Sequence, residues 1–157
     1  LEFRRVLFRS DLETGIDRYE MLVRATAGNA RFEVSRMELD REDPSYSIIT
    51  VRDLALDYPG AEIFLLIGAD SFNELHTWRE YRELLSLSTL AVLARPGSVP
   101  GNSALEEAGA SYVLIQNPII EISSTDIRNR IRAGRSIRYM VTDGVAEYIR
   151  ERGLYED

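Results

Sequence analysis

Two runs constrain the fold most: Glu62-Ile63-Phe64-Leu65-Leu66-Ile67 and Leu90-Ala91-Val92-Leu93-Ala94 are nearly continuous in apolar residues and too short for helices of usual length. Such runs fit strands buried on both faces of a parallel sheet. The segments between them change period. Tyr19, Leu22, Val23 and Thr26 recur at helical spacing from Asp17 until Gly28-Asn29, and Ile48, Val51, Leu54 and Ala55 do so until Pro59-Gly60. Shorter helical stretches are expected around 72–75, 79–85 and 104–108, and a last one from Thr142 or Asp143 through Arg152. Tyr112–Ile115 reads as a further strand, and Phe32, Val34, Met37 and Leu39 alternate as another, before Asp43-Pro44-Ser45 forces a turn. Strand and helix alternate throughout. The chain is therefore expected to be an α/β fold, one parallel sheet with helices on both faces and right-handed crossovers.

Composition narrows the chemistry. With 157 residues, 45% of them hydrophobic and 29% charged, one soluble domain with a proper core is expected. No apolar run approaches the ~18 residues of a membrane span. A formal charge of −7 argues against general nucleic-acid binding, which normally needs a basic stripe. All 19 basic residues are Arg, so no lysine is present to form a Schiff base or serve a phosphate loop. The absence of Cys removes thiolate catalysis and disulfides and is compatible with a cytoplasmic protein, and a single His76 rules out a multi-histidine metal cage. His76 itself reads as a surface or packing residue.

One basic cluster stands apart from this acidic background. Ile122-Ser123-Ser124-Thr125-Asp126-Ile127-Arg128-Asn129-Arg130-Ile131-Arg132 follows the β-prone stretches Tyr112–Ile115 and Ile119–Ile122, and its Ile127 and Ile131 take up helical spacing. The pattern reads as a strand entering a helix N-terminus. Free N–H groups, the positive end of the helix dipole and three hydroxyls would form a seat for an anion. Arg128 and Arg132 fall on one face, and Arg130, Arg135 and Arg138 lie close by in sequence. That chemistry suits phosphate. Taken alone the same residues are also an ordinary N-cap followed by a solvated arginine face.

Three further features can be weighed the same way. Gly68-Ala69-Asp70-Ser71 follows the first apolar run, and in open α/β sheets the ligand crevice lies at the carboxyl ends of the strands. Gly68 would permit close approach of a nucleotide and Asp70 would accept from its hydroxyls. Ser45-Tyr46-Ser47 opens the second helix, as a cap or as a contact to substrate. Trp78 joins two short helices, either as a core aromatic or as a flat surface for a ring.

Together, Arg18-Tyr19-Glu20-Met21-Leu22, Phe32-Glu33-Val34-Ser35, Glu38-Leu39, Pro44-Ser45-Tyr46-Ser47, Ile67-Gly68-Ala69-Asp70-Ser71, Trp78, Arg95-Pro96-Gly97, Ile122–Arg128, Tyr148-Ile149 and Leu154-Tyr155 resemble bacterial nicotinate-nucleotide adenylyltransferases in order and spacing, from about Asp11 to the C-terminus. The resemblance implies a Rossmann-like nucleotidyltransferase fold in the cytoplasm. It also implies transfer of AMP from ATP to nicotinate mononucleotide, giving the dinucleotide precursor of NAD and pyrophosphate, with Mg²⁺. Ser123, Ser124, Thr125 and Arg128 would then hold the ATP phosphates, the last three contributing to catalysis by positioning and charge neutralisation. Gly68 and Asp70 would lie against the nucleotide, and Trp78 with Tyr46 and Ser47 against the mononucleotide. Ser47 stands where the family usually carries Thr.

The N-terminal end departs from the family. The family's first strand and its Gly-rich turn with His-x-Gly-His are missing from the sequence given, since His76 is followed by Thr77-Trp78. Residues 1–10, with Arg4, Arg5 and Arg9 around Val6-Leu7-Phe8, are expected to be a non-native tail, and 11–157 a partial nucleotidyltransferase domain of impaired activity. A match of those ten codons to the native locus would sink the first expectation. The alternatives are an enzyme like phosphopantetheine adenylyltransferase, disfavoured by Trp78 and Ser45-Tyr46-Ser47, and an inactive fragment that keeps part of a nucleotide site.

Overall fold

The computed structural model describes residues 14–42, 44–93, 105, 107–116, 118 and 120–156. In chain order its elements are α1 (Gly15–Thr26), α2 (Ser47–Asp57), β1 (Phe64–Gly68), α3 (Ala69–Glu74), a 3₁₀ turn (Leu75–Thr77), α4 (Tyr81–Leu87), β2 (Thr89–Leu93), β3 (Tyr112–Ile115), α5 (Ser124–Arg132) and α6 (Asp143–Arg152). Of the described residues, those within 41–119 make one compact unit, and those within 14–40 and 120–156 make a second.

The first unit is built on a parallel sheet in the order β1-β2-β3, with Leu66 opposite Ala91 and Ala91 opposite Val113. Ile67, Leu90 and Val92 are fully covered, and they share a core with Ile48 and Val51 of α2, Phe72 of α3, Leu84 of α4 and Trp78. Each such side chain contributes roughly 1.5–3 kcal/mol on leaving water. The expectation that the apolar run of β1 is buried on both faces needs correction. Phe64 and Leu66 are 53% and 52% exposed, and Val113 is 51% exposed. Strand geometry sends alternate residues to opposite faces, and the helices of this unit gather their buried residues on the Ile67 side.

The second unit rests on α1 packed against α6. Val145, Tyr148, Ile149 and Leu154 are buried there, with Met21, Ile131 and Val141 against them. Asp17 is also buried. Its carboxylate accepts from the Thr14 hydroxyl at 2.5 Å and from the Tyr148 hydroxyl at 3.0 Å, and Arg152 stands 3.6 Å away. These partners, the Thr14 hydrogen bond first, hold its pKa below the ordinary 3.8 against the opposing effect of burial.

Three local expectations change. Residues 32–36 form no strand, because strand structure exists only through a ladder and they pair with no strand among the described residues. The second helix begins at Ser47, leaving Ser45 and Tyr46 outside it. β3 does not run into the motif helix: it ends at Ile115, and Ile120–Ser123 is irregular, with Ile120 72% exposed. Residues 1–10, Asp43 and Arg95-Pro96-Gly97 lie outside the described residues, as do 104 and 106 of the stretch 104–108, where Leu105 and Glu107 are helical. No helix among the described residues is long and apolar enough to cross a membrane.

Candidate functional site

In the second unit the hydroxyl cluster sits at the start of α5. Ser123 has extended backbone angles and is the N-cap, its hydroxyl accepting from the Asp126 N–H at 3.0 Å. Ser124 and Thr125 open the helix and are exposed. Arg128, one turn on, donates from a terminal nitrogen to the Thr125 hydroxyl at 3.3 Å. Its Nε is covered and has no hydrogen-bond partner. A buried donor without an acceptor costs about 1–3 kcal/mol.

The surrounding charges are arranged differently from the sequence expectation. Arg130 donates to Asp126 at 3.2 Å and to the Ser136 carbonyl at 3.4 Å, so its charge is engaged. That pairing also offsets Asp126, the one acid in the first turn of α5, which would otherwise repel an anion. Arg138 lies over the ring of Tyr139 at 5.1 Å, and Arg132 belongs to the last helical turn. Among the described arginines of this stretch, Arg128 is the one that donates to a hydroxyl of the cluster. A cavity of about 750 Å³ elsewhere in the same unit contains none of the predicted site residues. Arg135, Arg138 and Arg150 line it together with Asp143, Glu147 and Glu156, and Arg150 stands 3.9 Å from Glu147.

In the first unit the remaining candidates fall at strand and helix ends. Gly68 closes β1 and caps α3, and Asp70 stands exposed in the first turn of α3. Tyr46 is the N-cap of α2 but makes no side-chain cap bond, and Ser47, half-buried, is its first residue. Trp78 is 8% exposed and belongs to the core, against which Tyr46 also packs. The turn that follows Trp78 was not singled out by sequence. There the guanidinium of Arg79 lies 4.7 Å from the centre of the Tyr46 ring, and Glu80 takes a left-handed conformation, φ 51°, rare for a non-glycine. The available signal was adjacency: Arg79 follows a Trp already weighed as a binding surface.

A parallel α/β sheet with helix starts at strand ends, and a separate hydroxyl-and-arginine seat at a helix N-terminus, define a nucleotide-binding class of protein. The pattern of the cytidylyltransferase-like family matches residues 8–130. Proteins named "probable nicotinate-nucleotide adenylyltransferase" are 45% identical in Corynebacterium kroppenstedtii and 43% identical in Desulfitobacterium hafniense, each over 88% of this chain. A protein of the same name in Thermus thermophilus is 44% identical over 88% of the chain. The chain spans 66%, 70% and 72% of these three relatives' lengths. The Plasmodium falciparum nicotinic acid mononucleotide adenylyltransferase complexed with APC superposes with a TM-score of 0.73 over 94% of this chain and 79% of that one. At 16% identity this is a likeness of fold. The chain belongs to the cytidylyltransferase-like family, in its nicotinate-nucleotide adenylyltransferase branch. The phosphopantetheine alternative gains no support from these relatives.

Proposed function

We propose that the protein transfers AMP from ATP to nicotinate mononucleotide, releasing pyrophosphate, and that the start of α5 holds the ATP phosphates. The observation that carries the phosphate assignment is the Arg128 guanidinium held 3.3 Å from the Thr125 hydroxyl at the exposed N-terminus of the helix that Ser123 caps. The reaction breaks the α–β phosphoanhydride bond as the acceptor phosphate attacks the α-phosphorus, and charge accumulates on the leaving pyrophosphate. Little is required of the protein beyond alignment and neutralisation of that charge. Ser123, Ser124 and Thr125 would supply N–H and hydroxyl donors to phosphate oxygens, and Arg128 a fixed cation that is never deprotonated. Gly68 and Asp70 would meet the nucleotide's ribose or base. Tyr46, Ser47 and Trp78 would meet the mononucleotide.

Among the described residues no three His, Cys, Asp or Glu side chains converge to hold a metal. We propose that Mg²⁺ comes to the site on the triphosphate, the usual state of that ion with nucleotides. When bound it would neutralise phosphate charge.

The test is pyrophosphate release from ATP with nicotinate mononucleotide or phosphopantetheine as acceptor. It would be run on this chain and on the reading frame extended upstream in the source DNA. Release that depends on nicotinate mononucleotide in either protein supports the proposal. Release with phosphopantetheine alone, or with neither acceptor in either protein, overturns it.

A further inference from the structure

We propose that Arg130 is a positioning residue for the anion seat: by neutralising Asp126 it keeps the start of α5 receptive to a triphosphate. This rests on the reading above that the start of α5 holds the ATP phosphates.

The seat contains a conflict. Helix α5 begins at Ser124, so Asp126 lies in its first turn, within the field that favours an anion there. The Asp126 N–H is already taken by the Ser123 hydroxyl at 3.0 Å, which leaves the earlier N–H groups of the turn without an intrahelical acceptor. An incoming phosphate and the Asp126 carboxylate therefore seek the same positive end of the helix. An acid at that place stabilises the empty helix and opposes the ligand.

Arg130 resolves it. Its Nε donates to Asp126 Oδ2 at 3.2 Å, one helical turn on, in the order acid then base that favours such a pair. Its Nη1 donates to the Ser136 carbonyl at 3.4 Å, and its own carbonyl accepts from the Arg135 N–H at 2.7 Å. The guanidinium is thus tied at two ends, to the first turn of α5 and to the loop that follows the helix, although the side chain is 42% exposed. Residues two apart on a helix do not face each other, so Arg130 stands on a different side of α5 from Arg128. Arg128 donates to the Thr125 hydroxyl, within the cluster, whereas among the described residues Arg130 meets the first turn through Asp126. What the pair does is cancel charge beside the seat, since an acid and a base so open to water gain little stability from each other.

Calorimetric titration of a non-hydrolysable ATP analogue tests the proposal on the wild-type chain, Arg130→Gln, Arg130→Lys, Asp126→Asn and the double variant Arg130→Gln with Asp126→Asn. Arg130→Gln is expected to weaken binding roughly twofold to fivefold, the range of an exposed charge pair, and by less at high salt. Arg130→Lys should keep most of the wild-type affinity. Asp126→Asn should bind at least as tightly as wild type, and in that background Arg130→Gln should cost nothing. An arginine that only held the helix and loop together would weaken binding equally with or without the acid. Circular dichroism and melting of each variant report folding separately. Equal losses from Arg130→Gln in the two backgrounds, or no loss at all, overturn the role of Arg130 and leave the seat in place. Absence of binding to the folded wild type overturns the seat and the role together.

Discussion

At the scale of single residues, two buried polar groups do different work. Asp17 is satisfied: Thr14, Tyr148 and Arg152 surround its carboxylate. Because its folded pKa is lowered, it adds stability that is fully present above the ordinary value of 3.8 and is lost as pH falls through the lower folded value. Asp17→Asn is expected to cost about 1–3 kcal/mol near neutrality. It should also flatten the loss of stability below about pH 4, the region of the unfolded carboxyl. Urea midpoints taken across pH check both; a variant with an unchanged acid slope would show that the carboxylate contributes nothing. Arg128 is the opposite case, with a covered Nε that the protein leaves unpaired. No sequence pattern shows such an orphan. The hydroxyls, the helix start and the arginine were legible from Ser123–Arg128, but the engagement of Arg130 by Asp126 was not, since spacing alone allows it to face either neighbour.

Elements were legible where their hydrogen bonds are local or their burial is symmetrical. Helix α1 announces itself by periodicity and by Gly28, and β2 by a run whose Leu90, Ala91 and Val92 are all covered. β1 looked the same in sequence and is not: Ile67 is 1% exposed while Leu66, its neighbour, is half exposed. Hydrophobicity states what a residue could bury, not what covers it. The two faces of this strand should therefore respond differently to substitution. Ile67→Ala is expected to cost about 2–4 kcal/mol, by lost burial and a cavity. Leu66→Ser should change stability by no more than about 0.5 kcal/mol, as at exposed positions generally. Chemical denaturation of the two variants measures the difference, and similar losses would mean that the Leu66 face is covered in solution. Residues 32–36 teach the same lesson for pairing, because their alternation predicts a strand and only a neighbour could make one.

For the molecule as a whole, the alternation of strand and helix was sufficient to give the α/β class, and the joint spacing of separate motifs pointed to the family that the relatives then showed. What sequence did not reveal is that the candidate residues fall in two compact units. The hydroxyl and arginine cluster belongs to one compact unit, while Gly68, Asp70, Tyr46, Ser47 and Trp78 belong to the other. Periodicity does not mark a division near residues 40 and 120. The reading of α5 as the phosphate seat is the claim on which the proposed function stands. It is tested most directly by titrating a non-hydrolysable ATP analogue into the wild-type chain and into Arg128→Ala, with circular dichroism confirming that both are folded. The account predicts saturable binding by the wild type and roughly a tenfold or greater loss in the variant, the scale of a charge-assisted hydrogen bond to phosphate. Equal affinity in the two folded proteins would contradict it.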